Sequence, residues 1–197
     1  MPDRRDPAGS TAVTIALLQA EIERHKAELL KAEWRIAELE ARADVDPLLD
    51  ILNRRGFDRE LARSLAYVRR YAAAAALVFI DLDGFKSIND AHGHAAGDAL
   101  LKAVVAAVKG HVRASDTVAR LGGDEFAVLM WHLDEERALA KARELETIIG
   151  ETTIVHGTSA LSVGASAGAV TLPREGTAEE VLEAADKAMY ARKREKR

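Results

Sequence analysis

Three short segments of the sequence place acidic side chains directly after apolar or glycine-rich stretches. They are FIDLD at 79–83, GHAAGD at 93–98 and RLGGDEF at 120–126. Carboxylates that leave neighbouring strands can bind hard divalent cations such as Mg²⁺, which prefer oxygen ligands and often keep phosphate oxygens in their coordination shell. Two such ions, about 4 Å apart, favour in-line attack at phosphorus. The acids therefore indicate metal-assisted chemistry at a phosphate group.

The glycine pair and Asp98 are suited to ligand binding. Gly122 and Gly123 carry no side chain, so their backbone N–H groups can approach a phosphate closely. The carboxylate of Asp98 can accept two hydrogen bonds, and guanine presents its N1–H and its N2 amine side by side. Adenine has no such pair on that edge, and Asn89 can add a further contact to the base. These residues predict a guanine nucleotide as the ligand.

Each segment also has an ordinary structural explanation when it is taken alone. An Asp-x-Asp pair after a strand is common, and Gly-Gly-Asp usually forms only a hairpin turn. An isolated Gly-Asp pair, such as 97–98, is more often the start of a helix, with Asp as its N-cap. The functional interpretation depends on the joint occurrence of all three segments.

The bulk properties of the 197-residue sequence exclude several classes of protein. The formal net charge of −4 gives no overall basic field that would attract nucleic acid. Cysteine is absent, which excludes disulfides and a cysteine nucleophile and fits a reducing cytoplasm. The apolar run 71–80 has about half of the roughly 20 residues that a membrane span needs. We expect a cytoplasmic protein with no nucleic-acid partner and no membrane insertion.

The apolar periodicity predicts the elements that carry these residues. Strands are predicted over 72–81, 117–120, 124–131, 152–155 and 161–170, and helices over 48–71, 99–112, 134–149 and 177–193. Strands and helices alternate, and a hairpin at the glycine pair joins two of the strands. This order predicts an α+β sandwich with a mostly antiparallel sheet and helices on its faces.

The N-terminal part carries a seven-residue apolar repeat. One core position holds Ile15, Ile22, Leu29, Ile36 and Ala43, and the other holds Leu18, His25, Ala32 and Leu39. β-Branched residues at the first position and leucine at the second favour a parallel two-stranded coiled coil. A lone helix of this length is only marginally stable in water, so it needs a partner. The alternative is a helix that lies on its own globular domain.

Six segments of the sequence occur in the order of a known family. RLGGDEF at 120–126 resembles the signature of the GGDEF, or diguanylate cyclase, family, and 79–101 resembles its second signature block. The other matching segments are NRRGF at 53–57, RASD at 113–116, LSVGASAG at 161–168 and AMYARK at 188–193. The resemblance implies an α+β fold similar to the polymerase palm and the class III nucleotide cyclases. It also implies an enzyme that condenses two GTP into cyclic di-GMP and releases two pyrophosphates.

The resemblance also implies roles for individual residues. Two Mg²⁺ ions, or Mn²⁺ in their place, would be held by Asp81, the Leu82 carbonyl, Asp124 and Glu125. Glu125 would ligate metal or assist deprotonation of the ribose 3′-hydroxyl. The guanine would be bound by Asn89 and Asp98, and the phosphates by Lys86, Lys193 and Arg197, beside the Gly122 and Gly123 amides.

A homodimer and an inhibitory product site are implied in the same way. Each domain would bind one GTP, so two domains must face each other, and the coiled coil would hold them together. Arg113 and Asp116 match the spacing of the family's inhibitory cyclic di-GMP site, where the alternative is a surface ion pair at a helix end. Leu49-Asp50 replaces the Thr-Gly pair usual in the family, which concerns the junction between helix and domain.

These expectations divide the chain into three parts: a disordered tail over 1–10, a dimerising coiled-coil helix over 11–45 and a GGDEF catalytic domain over 46–197. The alternative function is a catalytically silent GGDEF domain that binds GTP or cyclic di-GMP as an effector. Domains of that kind generally have damaged signature acids, whereas the acids are intact here.

Overall fold

The computed structural model describes residues 18, 21–32, 34–35 and 43–196, and the chain divides into two compact units, Met1–Ala43 and Asp44–Arg197. In the first unit, the described residues up to 35 are helical. Leu18, Ile22 and Leu29 of the heptad pattern are all more than half exposed. The tail over 1–10 and about half of the predicted coil over 11–45 lie outside the described residues, so the coiled coil stays a prediction.

The second unit contains five helices and six strands within its described residues. The helices are α1 (Arg54–Tyr71), α2 (Phe85–His92), α3 (His94–Gly110), α4 (Glu135–Glu151) and α5 (Ala178–Glu195). The strands are β1 (Ala75–Asp83), β2 (Thr117–Gly122), β3 (Glu125–Trp131), β4 (Thr153–His156), β5 (Ser159–Ser162) and β6 (Gly164–Thr171). Across the described ranges, none of the helices combines the length and the apolar character that crossing a bilayer requires.

The main sheet has four strands in the order β2-β3-β1-β6, and every neighbouring pair is antiparallel. β1 lies in the middle, and its residues from Ala75 to Ile80 are buried because helices cover both faces of the sheet. β4 and β5 form a separate antiparallel pair. The predicted central antiparallel sheet is confirmed.

Two hydrophobic cores lie on opposite faces of the main sheet. On one face, α1 and α5 contribute Phe57, Leu61 and Val181, and β1 contributes Leu77 and Phe79. On the other face, α3 contributes Leu100 and Val104, and α4 contributes Leu145. These side chains pack against Val78 and Ile80 of β1. Successive side chains of a strand point to opposite faces, so one apolar strand supplies both cores. The layered α+β architecture is confirmed.

The predicted helix over 48–71 is wrong in its first turn and a half, because α1 begins only at Arg54. The Asp46 carboxylate accepts hydrogen bonds from the Leu48 and Leu49 amides at 2.9 and 3.0 Å, which holds a turn after Pro47. The Asn53 side chain then accepts from the Gly56 amide at 3.0 Å and acts as the N-cap. These side-chain oxygens bond to backbone amides that would otherwise join a helix, so the helix starts later than the apolar periodicity predicts.

Candidate active site at the end of β1 and the β2–β3 hairpin

The antiparallel register brings the two acidic segments together. Asp81 of β1 lies directly opposite Glu125 of β3, and the Leu82 amide donates a hydrogen bond to the Asp124 carbonyl at 3.1 Å. Asp81 and Glu125 are on the face of the sheet that α1 and α5 cover, since they continue the alternation of Phe79 and Ala127. Segments that are about 40 residues apart in sequence therefore form one acidic edge.

The hairpin that carries Asp124 and Glu125 is fixed by its own glycine and by Arg120. Gly123 has a φ of +41°, in the left-handed region that glycine tolerates best. The pairing of β2 with β3 shifts register between Arg120 and Gly122, as in a β-bulge. The Arg120 guanidinium donates two hydrogen bonds to the Gly123 carbonyl, at 2.9 and 2.7 Å. The tip of the hairpin is therefore held in one shape.

Negative charge is crowded around Glu125. Burial, followed by the charges of Asp81, Asp124 and Asp186, raises the pKa of Glu125 above its ordinary value, and Arg54 offsets this only in part. A pocket of about 570 Å³, lined in part by Arg54 and Asp186, opens beside Glu125. A bound cation would relieve the repulsion among these carboxylates.

The donor set at this edge fits a hard cation. In the described residues, no three His, Asp or Glu side chains already converge on a point where a metal could bind. Instead the Lys193 ammonium pairs with Asp81, and it lies 4.0 Å from an Asp83 oxygen. The Lys193 ammonium thus supplies a positive charge beside carboxylate oxygens, which are the ligands that Mg²⁺ prefers. The residues present therefore suit a divalent cation, which Asp81 and its neighbouring oxygen donors would hold.

Ser166 is a part of the site that the sequence analysis missed. It is fully buried on β6, and its hydroxyl lies 3.0 and 3.1 Å from the two carboxylate oxygens of Asp83, to which it donates. Asp83 is the second acid of the Asp-x-Asp pair, and no role was predicted for it. Strand pairing places Ser166 beside β1, and nothing in its local sequence signals this contact.

The two residues predicted to bind guanine come from the adjoining helices α2 and α3. A Cβ on Gly97 would lie only 2.0 Å from the Asn89 side-chain oxygen, so the Asn89 amide packs directly against the backbone of Gly97. Asp98, the next residue, is exposed. Lys86 is also exposed and lies three residues before Asn89 on α2. The bend between the helices thus brings Asn89 and the Gly97-Asp98 segment together.

Lys193 reaches the acidic edge because α5 lies very close to β6. A Cβ on Gly168 would lie 2.1 Å from the Met189 backbone nitrogen, so only glycine allows the helix to approach this far. Lys193 follows Met189 by four residues, or about one helical turn. Arg197, the other predicted phosphate contact on this segment, lies outside the described residues.

Arg113 and Asp116 form a compact loop after α3. The Asp116 carboxylate accepts hydrogen bonds from the Arg113 amide at 2.9 Å and from the Trp131 amide at 3.3 Å. The Arg113 residue is exposed and lines a small cavity of about 130 Å³ together with Trp131 and Lys141. Asp116 therefore has a structural role in the loop, whereas Arg113 is exposed beside the cavity.

The antiparallel sheet lies between two layers of helices, and acidic side chains lie together at one edge of it. This arrangement defines an α+β domain of the palm-like class. The chain belongs to the family of diguanylate cyclase GGDEF domains, because the family model described as "Diguanylate cyclase, GGDEF domain" matches residues 43–197. The match includes every described element of the second unit.

Two curated relatives illustrate the degree of similarity. The probable diguanylate cyclase DgcE of Escherichia coli (strain K12) is 38% identical over 168 residues, which cover 84% of this chain and 15% of the relative. The diguanylate cyclase TpbB of Pseudomonas aeruginosa is 38% identical over 163 residues, which cover 82% of this chain and 38% of the relative. The chain thus spans well under half the length of these relatives.

Two solved structures are similar over most of the chain. The coiled coil and GGDEF domain of DgcB from Caulobacter crescentus, in complex with c-di-GMP, has a TM-score of 0.77 and 25% identity and covers 91% of this chain and 96% of that one. The diguanylate cyclase SiaD from Pseudomonas aeruginosa, in complex with its activator SiaC, has a TM-score of 0.74 and 26% identity and covers 95% of this chain and 73% of that one.

Proposed function

We propose that this protein is an active diguanylate cyclase, which condenses two GTP into cyclic di-GMP and releases two pyrophosphates. The observation that carries the proposal is the position of Asp81 opposite Glu125, with Asp124 next in the chain. The diguanylate cyclase names of relatives at 38% identity support the same activity. A cytoplasmic location, where GTP is available, is part of the proposal.

GTP binding is assigned to two groups of residues. Asn89 and Asp98 bind the guanine edge, because a carboxylate accepts two hydrogen bonds from guanine and finds no such pair on adenine. The triphosphate is bound by cations and by backbone amides of the glycine hairpin; these groups are Lys86, Lys193, Arg197, Gly122 and Gly123. The pairing of Lys193 with Asp81 supports its placement beside the acids.

Two Mg²⁺ ions, or Mn²⁺, would be held by Asp81, the Leu82 carbonyl, Asp124 and Glu125. When bound, these ions supply charge neutralisation of the triphosphate. Glu125 would ligate metal or accept the proton of the ribose 3′-hydroxyl. The 3′-oxygen of one GTP attacks the α-phosphorus of the other, a new P–O bond forms, and pyrophosphate leaves.

The enzyme would act as a homodimer with one GTP in each subunit. One domain positions a single GTP, so the attacking hydroxyl and the attacked phosphorus come from different subunits. A coiled coil built on the N-terminal helix raises the effective concentration of the second domain. The exposed heptad residues Leu18, Ile22 and Leu29 support this role.

Product inhibition is proposed at Arg113 and Asp116. The exposed Arg113 can pair with a phosphate of cyclic di-GMP or stack on its guanine. The crystal structure of the related DgcB in complex with c-di-GMP supports a product site in this family.

The decisive experiment is incubation of the full chain with GTP and Mg²⁺, followed by separation of nucleotides by chromatography. We expect cyclic di-GMP and pyrophosphate from the wild-type protein and none from Glu125→Gln. GTP binding without any product, over a range of protein concentrations, would instead identify a silent binding domain.

A further inference from the structure

Glu146 is a buried carboxylate that connects three elements of the second unit, Asp44–Arg197. It lies on α4, and its side chain is only 7% exposed. It accepts hydrogen bonds from the Ala167 amide of β6 at 2.8 Å and from the Arg192 guanidinium of α5 at 3.1 Å. The Lys196 ammonium, directly after α5, lies 2.9 Å from the same carboxylate. One side chain thus ties α4, β6 and the C-terminal end of α5 together.

The Glu146 carboxylate is charged, and Arg192, Lys196 and the Ala167 amide donate hydrogen bonds to it. Burial raises the pKa of Glu146, but hydrogen bonds from Arg192, Lys196 and the Ala167 amide outweigh burial, and the pKa lies below its ordinary value. Lys196 also donates to the Ala165 carbonyl of β6 at 2.5 Å. The end of α5 is therefore attached to the sheet and to α4 by charge-assisted bonds, which are stronger than neutral ones.

The two cations that Glu146 binds flank Lys193. α5 ends at Glu195, only two residues beyond Lys193, and the last turn of a helix frays unless its groups find partners. Upstream, the helix is fixed where Met189 packs on Gly168. Downstream, Lys193 itself pairs with Asp81, and the described contacts that fix its neighbours to the rest of the domain are those of Arg192 and Lys196.

We propose that Glu146 is a positioning residue for Lys193: by fastening Arg192 and Lys196 it holds the last turn of α5 where the Lys193 ammonium meets the triphosphate of GTP. The inference rests on the proposed GTP-binding function. Without Glu146, the turn frays and the ammonium is distributed over many positions, so GTP is bound more weakly. The described partners of Glu146 are Arg192, Lys196 and the Ala167 amide, and none of them is an acid of the active site.

The test is a double-mutant cycle in the full chain, with Glu146→Gln, Lys193→Met and the double variant. Affinity for a nonhydrolysable GTP analogue is measured by calorimetry in Mg²⁺, and thermal unfolding is measured without nucleotide. We expect Glu146→Gln to weaken binding about tenfold when Lys193 is present, the scale of one charged hydrogen bond. In the Lys193→Met background its effect should be less than about twofold, since the two residues act as one unit. The loss of thermal stability should be the same in both backgrounds.

A matched control and a second variant complete the design. Glu144→Gln removes a carboxylate from the same helix, where Glu144 pairs with Lys141 at the surface, and it should leave GTP affinity unchanged. If Glu146→Gln does not fold, Arg192→Leu removes one anchor while Glu146 keeps Lys196 and the Ala167 amide, and it should show the same dependence on Lys193.

Two results would overturn the inference, and they are distinguishable. If the wild-type protein binds GTP but Glu146→Gln weakens binding equally with and without Lys193, Glu146 has only a general structural role. If the wild-type protein does not bind GTP at all, the proposed function fails together with the inference.

Discussion

The guanidinium of Arg120 joins Asp46, near the start of the GGDEF domain, to the carbonyl of Gly123 at the tip of the hairpin. Its Nη1 lies 3.2 Å from the Asp46 carboxylate and its Nη2 lies 2.7 Å from the Gly123 oxygen. Both side chains are largely buried, so the ion pair is protected from solvent screening. The first residues of the domain are thereby coupled to the loop that carries Asp124.

Asp46→Asn is expected to weaken that coupling. The amide oxygen can still cap the Leu48 and Leu49 amides, but the charge opposite Arg120 is lost. We expect the free energy of unfolding to fall by about 2 kcal/mol, the scale of a charged hydrogen bond, and cyclase activity to fall as the hairpin loosens. Urea denaturation and initial rates measure the two effects. Asp50→Asn, an exposed residue of the same turn, is the control, and equal stability of the two variants would contradict the prediction.

Glu125→Gln should stabilise the metal-free protein while it abolishes activity. The pKa of Glu125 is raised in the folded state, so the folded protein holds this proton to higher pH than the unfolded chain does. Ionisation of Glu125 therefore lowers stability as the pH rises from the ordinary glutamate pKa, about 4.3, through the folded-state value. The variant should gain stability over the wild type at pH 8 in EDTA, and the gain should shrink toward pH 4. A gain that is independent of pH would exclude this explanation.

Gly168→Ala tests the close approach of α5 to β6. The added Cβ would lie 2.1 Å from the Met189 nitrogen and 2.5 Å from the Ala188 carbonyl carbon, and backbone atoms cannot move aside without displacing the helix. We expect a loss of about 3 kcal/mol in the free energy of unfolding and weaker GTP binding through displaced Lys193. Gly150→Ala on α4 meets nothing within 4 Å and should be neutral or stabilising by up to about 1 kcal/mol. Similar stability of the two variants would argue against the tight contact.

Arg113→Ala should relieve product inhibition without loss of stability. Arg113 bonds to Asp116 through its backbone: its amide donates to the Asp116 carboxylate, and its carbonyl accepts from the Asp116 amide at 2.9 Å. The loop therefore keeps these contacts when the side chain is removed. We expect the concentration of cyclic di-GMP that halves the rate to rise at least about tenfold, since a charge-assisted bond to phosphate is lost. Inhibition curves and thermal unfolding provide the measurements. Unchanged inhibition would leave Arg113 as a surface residue.

Removal of residues 1–43 tests the proposed stalk, because the remaining 44–197 form a compact unit. We expect activity that depends steeply on protein concentration, and about tenfold less activity than the full chain at dilutions where the full chain is dimeric. A dilution series of specific activity, with sedimentation to follow the oligomeric state, measures this effect. Equal specific activity of both forms at high dilution would count against a dimerising helix.

The acidic edge could be predicted from the sequence because its determinants are local. An apolar run followed by Asp81, and two glycines followed by Asp124 and Glu125, specify a strand end and a hairpin through short-range preferences. The antiparallel sheet and the helical layers follow from the order of the elements. The start of α1 could not be read in this way, because a turn capped by Asp46 competes with helical periodicity over 48–53.

The sequence by itself determined the family, the acids at two strand ends and the alternation of strands and helices. Tertiary structure alone decided which distant side chains hold those acids and Lys193 in place. Ser166 meets Asp83 across 83 residues of sequence, and Glu146 meets Arg192 across 46. Such pairs form only when α5 packs on β6 and β6 on β1, and neither residue carries a local signal of its partner. Long-range packing, which no short segment encodes, therefore fixes the geometry within which the local motifs act.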